Sequence, residues 1–171
     1  MHKITDVYTP DLAKSRLIER FEDNDAVLEV VRKLHKTPLC SFAAMCDGYF
    51  LSTTGNTAQA DFCVNRASAV IHTLKQFHIP VSTHIQNVQS DVGGVAPQAV
   101  FFISENDLDK LENDSVKIMH DCKSRLQALK QVHVQKEINR LVKEYGEEEL
   151  VKLINNASAN DNPPDSDEGV G

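Results

Sequence analysis

Apolar positions recur at helical spacing near the start of the chain, where Leu12, Leu17, Ile18 and Phe21 share one side. Thr9 can cap this stretch, Pro10 suits the first helical position and Asp11 complements the dipole, so a helix is predicted over about 11–22. Asp23-Asn24-Asp25 breaks it and caps a second helix, about 25–36, with the stripe Val27, Leu28, Val31 and Leu34; this one has to stop before Pro38. Two apolar runs follow, 39–46 and 49–54, separated by Asp47-Gly48. An Asp-Gly pair between such runs favours a two-residue turn with positive φ, and a β-hairpin is expected over 39–54. Its first strand would place Cys40, Phe42, Ala44 and Cys46 on one face.

A polar joint, Thr53-Thr54-Gly55-Asn56-Thr57, leads into a helix predicted over 58–78. Cys63, Ala67, Val70, Ile71 and Leu74 form its apolar stripe, and Asp61, Asn65, Ser68 and His72 its polar side. Strands are predicted over 81–88 and 98–104, joined by a loop with Gly93-Gly94. Ser104 and Asp107 resemble a capping box. Beyond them only Asn113-Asp114-Ser115 interrupts a helical pattern that lasts to about Tyr145. Gly146 is the expected C-cap, and a short helix follows over 147–154. The pattern therefore predicts an α+β fold. N-terminal helices, a hairpin, a helix and two strands forming a small mixed sheet occupy 1–104, a C-terminal helical segment 105–154, and a disordered acidic tail 155–171.

Composition narrows the classes. The 171 residues are 41% hydrophobic, and the longest uninterrupted apolar stretches are Phe42–Cys46 and Ala99–Ile103. A membrane span needs about 20 such residues. Lys and Arg number 18 against 25 Asp and Glu, a net charge of −7, and four of the acids stand in residues 155–171 without a base. No three basic residues are consecutive, which disfavours nucleic acid as a partner. Four cysteines and an opening without an apolar export segment lead to the expectation of reduced thiols and a cytoplasmic location.

Several chemistries lack their motifs. The sequence contains no Cys-x-x-Cys, His-x-x-x-His, Gly-x-Gly-x-x-Gly, phosphate-binding Gly-x-x-x-x-Gly-Lys or Gly-x-Ser-x-Gly. The predicted order helix, hairpin, helix, strand over 25–104 resembles the opening of the cytidine-deaminase-type fold. That resemblance implies His-x-Glu or Cys-x-Glu early in the helix and Pro-Cys-x-x-Cys later, to hold the zinc and move the proton. Here the helix reads Ala58-Gln59-Ala60-Asp61-Phe62-Cys63-Val64-Asn65 and no cysteine pair follows. The same order resembles roadblock and longin-type interaction modules, which implies work by protein contact. No catalytic residue, metal ligand or cofactor is assigned.

Two surfaces remain. A glycine-bearing turn at a helix N-terminus can hold a carboxylate or phosphate, so Thr54, Gly55, Asn56 and Thr57, with Asp61 and Arg66, form a ligand-binding candidate. The competing reading is that they only cap the helix and close the turn. The long C-terminal helix carries an apolar seam of Met119, Cys122, Leu126 and Leu129, then Val134, Ile138 and Leu141. Self-association through it is expected. The first functional reading is a non-enzymatic protein-interaction or regulatory module acting through this segment, in the manner of a coiled coil. A small-molecule-binding or enzymatic domain using Thr54–Thr57 is the alternative, and a nucleic-acid-associated regulator the second.

Overall fold

In a computed structural model, the described residues are 2–53, 60–89 and 93–160. Their elements are β1 (His2–Lys3), α1 (Ile4–Val7), α2 (Pro10–Arg20), α3 (Asp25–Lys33), α4 (Lys36–Cys46), β2 (Leu51–Ser52) and β3 (Phe62–Cys63). Then come α5 (Ala67–Gln76), β4 (Ser82–Gln89), β5 (Val95–Phe102), α6 (Glu105–Asn113), α7 (Ser115–Tyr145) and α8 (Glu147–Asn160). The fold is α+β. Two compact units divide it, Met1–Leu126 and Gln127–Gly171.

The first unit holds the core. Its sheet runs β1-β3-β2-β5-β4. Strand β3 is parallel to both β1 and β2, whereas β5 is antiparallel to β2 and β4, so the sheet is mixed. Tyr8, Leu17, Phe21, Phe42, Met45 and Leu74 are wholly buried. Leu111 and Ile118 join the same cluster, so α6 and the first turn of α7 belong to this core. The capping expectations hold at three helices. Thr9 accepts from the Leu12 N–H at 3.3 Å, Asn24 from the Val27 N–H at 3.3 Å and Ser104 from the Asp107 N–H at 3.1 Å.

The expected hairpin over 39–54 does not form. Residues Leu39–Cys46 are helical and buried on every side, in α4. The run contains no β-branched residue and includes Leu, Met and two Ala, all strong helix formers. A helix that is apolar all round lacks the stripe that would reveal its period, so a short apolar run reads equally as strand. Pro38 is the third residue of α4, in the first turn, where a missing N–H costs nothing. Asp47-Gly48 ends the helix instead of turning a hairpin. Gly48 has φ +85°, its N–H donates to Met45 O at 3.1 Å, and the Tyr49 N–H donates to Ala44 O at 3.0 Å. That pair of bonds is the Schellman arrangement, which needs the left-handed residue as much as a hairpin does.

The helix expected over 58–78 is shorter, spanning Ala67–Gln76. Phe62 and Cys63 leave it to pair with Leu51 and Ser52, burying Phe62 and Val64. The polar side proposed from Asp61 to His72 is therefore not one helix face. With α4 in place of a hairpin, the order on which the deaminase, roadblock and longin resemblances stood is not formed. Strand β4 matches its predicted span to one residue, while β5 begins earlier than 98, at Val95, and accommodates Pro97 opposite Asn87. The breaks at Asp114 and Gly146 fall where expected. Of the tail expected to be disordered over 155–171, residues 155–160 continue α8 and the remainder lies outside the described residues.

Candidate functional site

Of the ligand-binding candidate the structure describes Asp61 and Arg66, which do not share a helix. Thr54, Gly55, Asn56 and Thr57 lie outside the described residues. Asp61 precedes α5 by six positions; its carboxylate accepts from the Phe50 N–H at 2.8 Å, and its own N–H donates to Phe50 O at 2.8 Å. It clamps the start of β3 to β2. Arg66 stands just before α5 with φ 56° and ψ 41°, and its side chain makes no capping bond. Cys63 Sγ donates to Thr53 O at 3.5 Å, and His72 lies exposed on α5 beside Gln76. Among the described residues no three His, Cys, Asp or Glu side chains converge as metal ligands do. Burial pushes the Cys40, Cys46 and Cys122 thiols up, which keeps them protonated and weakly nucleophilic at neutral pH.

A polar cluster that sequence spacing does not reveal lies at the end of α4. Arg16 Nη1 donates to Asp47 Oδ2 at 2.5 Å, and the Tyr8 hydroxyl donates to the same oxygen at 2.5 Å. The Arg16 guanidinium also lies 5.3 Å from the Tyr8 ring centroid. Arg20 donates to Cys46 O at 2.7 Å and to Glu112 Oε1 at 2.6 Å. Two arginines of α2 thus meet the carbonyl end of α4, where the helix dipole favours cations. Every member of the cluster is already paired within the fold, so its role is to join α2, α4 and α6. Apart from Tyr8 and Arg16, its partners are 26 to 92 residues apart, beyond any periodicity.

Among the described residues of the first unit, at least two hollows are found. Phe50, His84, Val100 and Phe102 line one of about 400 Å³, with the Phe50 and Phe102 rings 5.0 Å apart. The other, of about 240 Å³ between α6 and α7, brings together Asp107, Asp114 and Asp121 with Lys110, Lys117 and Arg125. Acids and bases balance there, leaving no net charge to select an ionic ligand.

The predicted interface residues divide. Met119 and Cys122 pack against the core of the first unit, and Leu126 is half-buried. Leu129 is 68% exposed, Val134 55% and Ile138 41%, with Leu141 half-buried. At about 100° per residue, Ile118, Cys122, Leu126, Leu129 and Val132 lie on one side of α7, and Val134, Ile138, Leu141 and Tyr145 lie roughly 150° away. The shift in phase is thus a change of face. Helix α8 adds a stripe that the interface assignment missed, Leu150, Leu153, Ile154 and Ala157, although their spacing carries the signal. Among the described residues no helix is long and apolar enough to cross a membrane. Comparison with family models, with curated proteins and with solved structures finds no match to this chain.

Proposed function

We propose that this chain is a non-enzymatic interaction module that works by protein contact and self-associates through its C-terminal helices. One observation carries the reading. From Gln127 to Ala157 no residue is buried, although this stretch holds Leu129, Val132, Val134, Ile138, Leu141, Tyr145, Leu153 and Ile154. Apolar surface left in water forgoes about 25 cal/mol per Å², and an isolated helix draws little stability from propensity alone. Contact with another chain removes both deficits at once. The charged positions between the apolar ones keep such a surface soluble before it is paired, as in helices that exchange partners.

Sedimentation of the full chain tests this. The expected result is a dimer or larger assembly across the micromolar range, and a monomer for the double variant Ile138→Asp, Leu141→Asp with unchanged near-ultraviolet dichroism. A wild-type chain that sediments as a monomer throughout that range overturns the reading.

A further inference from the structure

The second unit contains two apolar stripes that its own chain cannot bring together. On α7, Val134, Ile138, Leu141 and Tyr145 step by 4, 3 and 4, and on α8, Leu150, Leu153 and Ala157 step by 3 and 4 with Ile154 beside them. These are the steps of a helix–helix seam. A single residue, Gly146, separates the helices. It has φ +83°, its N–H donates to Val142 O at 2.9 Å, and its carbonyl accepts the Leu150 N–H at 3.2 Å. Two antiparallel helices of one chain need a connecting loop of about 2–5 residues. With one residue, and with hydrogen bonds on both sides of it, α8 does not double back over α7.

Charge selects the partner and its direction. In residues 127–145, Lys130, Lys136, Arg140 and Lys143 stand against Glu137 and Glu144, a balance of +2. In α8, Glu147, Glu148 and Glu149 stand against Lys152, a balance of −2. Each half is what the other lacks in sign and in apolar face. We infer that a second copy of this chain covers these stripes in an antiparallel, two-fold arrangement centred near Gly146, with α8 of each copy lying on the later half of α7 of the other. A parallel arrangement sets +2 on +2 and −2 on −2, whereas the antiparallel one pairs opposite signs twice. The same patch then serves both copies, so the assembly closes as a dimer. This rests on the self-association proposed above and adds its geometry.

Directional cross-linking of the full chain tests it. Gln135→Cys flanks the α7 stripe and Ala157→Cys lies in the α8 stripe; both positions lie about equally far from Gly146, on opposite sides. Mild oxidation of a mixture of the two variants should give a cross-linked dimer several-fold more abundant than either variant gives alone, read against the wild-type chain with its own four cysteines. Raised salt should weaken the association several-fold, because the paired charges lie at the surface. A chain that sediments as a dimer but cross-links equally well within each single variant, or not above the wild-type background, overturns the antiparallel geometry and leaves self-association standing. A chain that sediments as a monomer overturns both.

Discussion

The Asp47 carboxylate ties three side chains of the first unit together. It accepts from Tyr8 and Arg16, and Arg20 Nη1 lies 3.7 Å from its other oxygen. Burial, and then the hydrogen bond and charge of Asp47, push the Tyr8 hydroxyl well above the ordinary tyrosine value, against the opposing effect of Arg16. A raised folded-state value means that the neutral phenol contributes in full below the unfolded pKa, near 10. As pH climbs past that point the unfolded chain releases its proton first, and the contribution is lost. Tyr8→Phe should therefore lower neutral-pH stability by about 1 kcal/mol, the usual net worth of a hydrogen bond. Above pH 10 its urea midpoint should fall less steeply than that of the wild type. Equal slopes for the two proteins would show that Asp47 and Arg16 do not hold the phenol in this state.

Among the elements, α4 decides the architecture. Its all-round burial makes it the centre against which α2 and α5 pack, and its C-terminal turn depends on one backbone conformation. A Cβ added at Gly48 meets nothing within 4 Å, so the cost of Gly48→Ala is conformational rather than steric. Left-handed backbone costs an ordinary residue about 1–2 kcal/mol, and chemical denaturation of Gly48→Ala should show a loss of that size. Gly146 has nearly the same φ and the same free space, but no residue from Gln127 to Ala157 is buried to hold the break in place. Gly146→Ala should instead relieve the strain by extending helix, with far-ultraviolet ellipticity unchanged or increased. Two glycines of like geometry thus differ in cost according to what surrounds them.

At the scale of the molecule, the two units draw their stability from different sources. Residues 1–126 bury one continuous core, whereas residues 127–160 retain helical backbone with exposed apolar stripes. Helices of marginal intrinsic stability gain order on association by mass action. Mean residue ellipticity at 222 nm should accordingly rise with protein concentration over the range in which sedimentation detects assembly. The double variant Ile138→Asp, Leu141→Asp should show no such rise. Concentration-independent ellipticity in the wild type would mean that these helices stand without a partner.

The legible part of this chain is the part whose physics is local. Caps at Thr9, Asn24 and Ser104, the breaks at Asp114 and Gly146, and the spans of α2 and β4 all follow from hydrogen bonds and dihedral preferences that act within a few residues. The α+β class and the apolar spacing of the two α7 stripes, at Leu129 and at Ile138, could be read from periodicity for the same reason. Where a segment is apolar on all sides, periodicity vanishes, and the surroundings choose the conformation. That is why Leu39–Cys46 became a buried helix with Asp47-Gly48 as its stop, and why Phe62–Cys63 joined the sheet. Asp61 and Arg66 likewise do not share the helix on which their proximity was expected, because that helix begins only at Ala67. Sequence alone determined the caps of α2, α3 and α6, the breaks at Asp114 and Gly146, and the apolar periodicity of the later part of α7. Tertiary structure decided which apolar residues were spent inside, since burial depends on neighbours that lie tens of residues away along the chain.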